Sequence, residues 1–121
     1  MTKVDLIIST YNNPKPIVQI LSCLQSGSPL PSSISIADDG SNEGNLDQAR
    51  RALKKFPSAT RYYWHEDKGF RKAKILNQAV NSCQGDYVVF LDGDCLPHKD
   101  FVKDHMAMAE KGYFVQGRRC F

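Results

Sequence analysis

The chain has 121 residues, enough for one domain with a real core and short for a two-substrate enzyme. Sixteen Lys plus Arg against thirteen Asp plus Glu leave a formal charge of +3, too mild to indicate nucleic acid but no obstacle to an anionic ligand. The opening Met-Thr-Lys-Val-Asp puts charge inside the first apolar segment, and no apolar run approaches the ~20 residues that cross a bilayer, so neither an export signal nor an anchor is expected.

In chain order, the β-branched run "VDLIIS" (Val4 to Ser9) predicts a first strand, and the turn cluster "TYNNPKP" leads from it into a helix. Ile17, Ile20, Leu21 and Leu24 recur at helical spacing until "SGSPLP" breaks the pattern. "SISIA" (Ser33 to Ala37) predicts a second strand running into Asp38-Asp39-Gly40-Ser41. Leu46, Ala49, Leu53 and Phe56 then mark a second helix. "TRYYW" (Thr60 to Trp64) predicts a third strand. It leads through "HEDKGFR" to Ala73, Leu76, Ala79, Val80 and Cys83, a third helix closed by Gly85. Tyr87 to Leu91 is a continuous apolar run, the pattern of a central parallel strand covered on both faces. After "DGDCLP" a fourth helix is expected from about Lys99 to Lys111, and "YFVQG" predicts a fifth strand.

The four cysteines, Cys23, Cys83, Cys95 and Cys120, form no CxxC pair. A zinc site or disulfide framework is therefore not expected, and buried thiols in a reducing cytoplasm are.

Alternation of strands and helices predicts an α/β fold, a Rossmann-like, mostly parallel sheet with helices on both faces. Ligands of such sheets bind beyond the carboxyl ends of the strands. There the chain keeps Thr10-Tyr11-Asn12, Asp38-Asp39, His65-Glu66-Asp67 and Asp92-Gly93-Asp94, which predicts one site assembled from four loops.

Asp92 and Asp94, two apart in an extended segment, can project to the same side while Gly93 lets the backbone approach a ligand. Two hard oxygen donors suit Mg²⁺ or Mn²⁺ shared with a substrate diphosphate; an acidic turn capping the next helix is the bland alternative. A haloacid-dehalogenase-type phosphatase would carry its Asp-x-Asp after the first strand and follow it with a hydroxyl residue. Here the motif follows the fourth strand and is followed by Cys95 and Leu96. No GxGxxG and no P-loop is present, which removes dinucleotide oxidoreductases and P-loop NTPases.

Asp38 and Asp39 both suit a cap for the second helix, and Asp39, one step further out, could instead accept from a ribose hydroxyl or a base N–H. Tyr11 is either a core aromatic or a stacking surface for a base. The sequence does not decide a role for His65. Of the basic residues in "KGFRKAKILN", Arg71 is the best candidate to meet a phosphate, and Lys72 and Lys74 are left to solvent.

The pieces "IISTYNNP", "ISIADDGS", "HEDKGFRKAKILNQAV", "GDYVVFLDGDCLPHKDFV" and "VQGRR" together resemble the N-terminal, nucleotide-sugar-binding half of a family 2 glycosyltransferase with the GT-A fold. The likeness extends over essentially the whole chain. Its "GFR…N…GDYVVFLDGDC" version is similar to chondroitin-polymerase-like and other bacterial surface-polysaccharide transferases. The resemblance implies that Thr10 and Tyr11 line a nucleobase pocket, that Asp39 contacts base or ribose, and that Arg71 and Asn77 help build the nucleotide site. It further implies that Asp92 approaches the ribose or a metal-bound water and that Asp94 ligates Mn²⁺ or Mg²⁺. The implied reaction is inverting transfer from a nucleoside-diphosphate sugar, UDP-linked by preference, to the hydroxyl of a glycan or lipid-linked acceptor in polysaccharide synthesis.

Two departures stand out. Many relatives carry Arg immediately before the helix-three asparagine, where this chain has Leu76. Relatives also continue for another hundred or so residues that supply the acceptor site and the carboxylate base that inversion requires. The expectation is therefore a truncated donor-binding domain over residues 1–121, with its base beyond Phe121 and a bare apolar surface that could promote homodimers. It would be cytoplasmic and, in the full-length protein, peripheral at the inner membrane face. The alternative from another class is a non-catalytic nucleotide-binding or subunit-interaction module.

Overall fold

The structure, a computed structural model, describes residues 2–118. Its elements run β1 (Val4–Thr10), α1 (Pro14–Ser26), β2 (Ser33–Asp38), α2 (Glu43–Lys54), β3 (Ala59–Trp64), α3 (Lys72–Asn81), β4 (Tyr87–Asp92) and α4 (Phe101–Met108). The strands form one sheet in the order β3-β2-β1-β4, with every pair parallel. The α/β expectation, with helices on both faces, is the fold found.

Alternation along β1 explains the layers. Val4, Leu6 and Ile8 meet Ile17, Ile20, Leu21 and Leu24 of α1, Ala49 and Leu53 of α2 and Val102 of α4 on one face. Ile7 points the other way, onto Ile75 and Ala79 of α3. Leu6, Ile7 and Ile8 are all fully buried, and each contributes on the order of 1.5–3 kcal/mol by leaving water. The chain moves from β1 outward to β3 with α1 and α2 on one face, then crosses back past β1 with α3 on the other. Strand order therefore reverses between β1 and β4, the position where open parallel sheets leave a crevice.

Several expectations need correction. The most buried central strand is β1, not Tyr87–Asp92. β4 pairs with β1 alone among the described residues, and Phe90 is 57% exposed. Apolar continuity here marks a strand whose second edge is unpaired among the described residues. "YFVQG" forms no strand: Tyr113 is 70% exposed and Phe114 88%, and without a neighbouring strand its backbone has no ladder to join. α4 begins and ends inside the expected range, at Phe101 and Met108. Cys23, Cys83 and Cys95 are half-buried, where buried thiols were expected; Cys120 and Arg119 of "VQGRR" lie outside the described residues. No helix among the described residues is long and apolar enough to cross a membrane.

Candidate functional site

At the carboxyl ends of the strands the four loops meet around a cleft of about 480 Å³. β1 and its loop contribute Ser9, Thr10, Tyr11 and Asn13; β2 and its loop contribute Ala37 and Asp39. Asp67, Gly69, Phe70 and Lys72 come from the β3–α3 segment, and Asp92, Gly93 and Asp94 from the end of β4.

Two glycines allow the loops to come this close. A Cβ on Gly93 would lie 2.2 Å from the Ser9 carbonyl oxygen, so the acidic turn can rest on β1 only without a side chain there. Gly40 has φ +104°, and a Cβ there would sit 2.6 Å from Cα of Asp67. The β2–α2 turn thereby packs backbone to backbone against the β3–α3 loop.

Polar bonds tie the loops together. Asn12, at φ 47°, donates its N–H to Ser41 Oγ at 2.8 Å, and its Oδ1 accepts from the Asn42 N–H at 2.7 Å. Asp38 is fully buried and accepts from the Ser41 N–H (2.9 Å), the Ser41 hydroxyl (2.7 Å) and the Tyr62 hydroxyl (2.5 Å). It does not cap α2; that cap is Asn42, which accepts from the Asn45 N–H. Burial, together with the bond to Asp38, raises the Tyr62 hydroxyl far above its ordinary pKa.

Asp39 lines the cleft and is also part of its frame. Its Oδ1 pairs with His65 Nε2 at 2.6 Å, and its Oδ2 accepts the Arg71 N–H at 2.9 Å. His65, undecided from sequence, thus braces Asp39. Tyr11 is 48% exposed, with its hydroxyl donating to Asp67 Oδ2 at 2.6 Å. That bond and the Gly69 N–H lower the Asp67 carboxyl below its ordinary value, and the same carboxylate raises the Tyr11 hydroxyl.

The basic residues are not distributed as expected. The Arg71 guanidinium donates to the Glu66 carbonyl, and Arg71 is absent from the cleft lining. Lys72, left to solvent in the sequence reading, lines the cleft and sets its Nζ 2.8 Å from Asp92 Oδ1. A signal existed: Lys72, Ile75 and Ala79 fall on one helical stripe, so a lysine there stays over the sheet. Asn77 is exposed on α3 and does not line the cleft, whereas Thr10 does.

Asp92, Asp94 and Cys95 present ligand atoms within 4.8 Å of one another. Two carboxylates with room for further ligands fit Mg²⁺ or Mn²⁺, and the thiol is a softer donor than either ion prefers.

Residues 5–120 match the family described as "Glycosyl transferase family 2". The chain belongs to this family. Chondroitin synthase of Escherichia coli is 27% identical to this family 2 chain over 105 residues, covering 86% of the chain and 15% of that protein. A mannosyltransferase from Pyrobaculum calidifontis, solved in complex with GDP-Man and Mn²⁺, matches with TM-score 0.74 and 26% identity over 87% of this chain and 31% of its own. S. aureus TarS 1-349, solved in complex with UDP-GlcNAc, matches with TM-score 0.74 and 25% identity over 87% of this chain and 30% of its own. The family 2 chain therefore spans less than a third of the length of each of these proteins.

Proposed function

We propose that this chain is the donor-binding part of a glycosyltransferase and that its cleft holds a nucleoside-diphosphate sugar, UDP-linked by preference. The observation that carries the reading is the convergence of four strand-end loops on one cleft at the β1/β4 reversal, with the Tyr11 ring and the Asp92 and Asp94 carboxylates in its lining. The solved relatives of the same fold with GDP-Man and Mn²⁺ or with UDP-GlcNAc support that class of ligand.

In this reading the exposed Tyr11 ring stacks on the nucleobase, and Thr10 lines the same pocket. Asp39, held by His65 and the Arg71 N–H, has its orientation fixed and offers its remaining lone pairs to the base or ribose. Asp92 and Asp94 hold a divalent cation, Mn²⁺ or Mg²⁺. When bound, such an ion offsets the charge that builds on the departing nucleoside diphosphate. The chain's own work is to fix the donor, shield one side of it from water and present the anomeric carbon to an acceptor hydroxyl for inverting transfer. The acceptor is a glycan or lipid-linked sugar in polysaccharide synthesis on the cytoplasmic side. None of the described carboxylates is assigned the acceptor's proton. Arg71 and Asn77 act on the nucleotide only indirectly, through the Arg71 N–H on Asp39 and through the fold of α3.

Isothermal titration with UDP in the presence of Mn²⁺ tests the reading. We expect saturable heat with the wild-type chain and a loss of at least about tenfold in affinity for Asp94→Ala, on the order of 1.4 kcal/mol. Absence of heat in the wild type, or identical binding by Asp94→Ala, would sink the donor-site assignment.

A further inference from the structure

Lys72 is the first residue of α3, and its side chain enters the cleft only 36% exposed. Its ammonium lies 2.8 Å from Oδ1 of Asp92, the oxygen that also accepts from the Ser9 hydroxyl at 3.3 Å. No charge on its own helix favours this placement. The positive end of a helix repels a cation, and the first turn of α3 contains no acidic side chain. The carboxylate at the end of β4 is what draws the lysine in.

Asp92 also belongs to the cluster with Asp94 and Cys95 whose ligand atoms lie within 4.8 Å of one another. An ammonium and a divalent cation on one carboxylate repel each other across a few ångströms in a partly desolvated cleft. The two therefore compete for Asp92. Lysine is suited to yielding, since its point charge rides on a flexible four-carbon stem. Arg71, next to it, cannot take this part because its guanidinium is turned onto the Glu66 carbonyl.

We propose that Lys72 is an exchangeable counter-ion of the donor site. It neutralises Asp92 while no divalent cation is held, and it moves onto phosphate oxygens of the donor when the carboxylates take the metal. Lys72 is then a positioning residue that couples metal binding to diphosphate binding. The inference rests on the donor-site reading above.

The test uses the full chain with Lys72→Met and Lys72→Arg. Mn²⁺ binding without nucleotide is followed by electron paramagnetic resonance of the free ion, and UDP binding in saturating Mn²⁺ by calorimetry. Removing the charge should tighten Mn²⁺ binding about 3- to 10-fold and weaken UDP binding about fivefold or more. Lys72→Arg, which keeps the charge, should return Mn²⁺ affinity to within about twofold of wild type. Structural damage would weaken both ligands together, so tighter metal binding cannot come from misfolding. Unchanged or weaker Mn²⁺ binding by Lys72→Met, in a background where the wild type binds both ligands, overturns the exchange alone. Tighter Mn²⁺ with unchanged UDP overturns transfer of the lysine to phosphate. A wild-type chain that binds neither ligand overturns the donor-site reading and the exchange with it.

Discussion

Two acidic strand ends, Asp38-Asp39 at the end of β2 and Asp92-Gly93-Asp94 at the end of β4, look alike as sequence and are held in different ways. Asp38 is fully buried under three donors, and Asp39 is braced by His65 and the Arg71 N–H. Asp92 remains 48% exposed, with a long lysine and a serine hydroxyl on one oxygen. A buried carboxylate must be matched by donors or its desolvation destabilises the fold. An exposed one can exchange partners at little cost. The first pair is therefore committed to holding two loops in register, and the second is left able to change what it binds.

The sharpest way to break that contrast is to remove one carboxylate from each end. Asp38→Ala strands the Tyr62 hydroxyl and the Ser41 N–H, and we expect a loss of about 3–5 kcal/mol in urea unfolding. Asp94→Ala should stay within about 0.5 kcal/mol of wild type, its effect appearing in ligand binding instead. Equal losses from the two substitutions would contradict the division of labour.

A smaller effect probes the joint between the β4 turn and β1. Gly93→Ala forces a methyl toward the Ser9 carbonyl, and overpacking of this kind costs about 1–3 kcal/mol. Gly117→Ala, where a Cβ meets nothing within 4 Å among the described residues, serves as the control and should leave the denaturation midpoint unchanged.

The smallest effect concerns the bond that straps the β3–α3 loop to Tyr11. The Asp67 carboxyl is held below its ordinary value, so its contribution is complete above the normal aspartate range and is lost as pH falls through the depressed value. Tyr11→Phe should move the Asp67 titration back up, as seen by carboxyl-carbon NMR, and remove that acid sensitivity from the loop. An unchanged Asp67 titration would show that Tyr11 is not its main partner.

Much of this arrangement was readable from the sequence because it is local. Ile17, Ile20, Leu21 and Leu24 announce α1, and "SISIA" running into Asp38 announces a strand with a polar end. What was not readable depended on partners far along the chain. Phe90 reads as core, but whether it is covered depends on what lies beyond β4. "YFVQG" has strand chemistry, yet a strand exists only where another strand accepts its hydrogen bonds. Which of the two neighbours, Arg71 or Lys72, lines the cleft turned on a single residue: α3 starts at Lys72, which places that side chain over the sheet and leaves Arg71 to close the preceding loop. Asp39 was expected to cap α2 or to meet a ligand. Its second task, receiving His65, needed two loops from different strands to be placed side by side.

The Tyr11–Asp67 bond has a thermodynamic consequence for anything that stacks on the ring. Tyr11 has its hydroxyl anchored across the cleft, and the neighbouring Asn12 is pinned to Ser41 and Asn42. Part of the ring's rotational freedom is therefore surrendered when the chain folds and does not have to be lost again on association. A planar ligand would meet a surface already partly ordered, so its entropy of binding should be less unfavourable than for a loop that orders on contact. Calorimetry would register this as weaker compensation between enthalpy and entropy in the wild type than in a chain where the Tyr11 hydroxyl is absent.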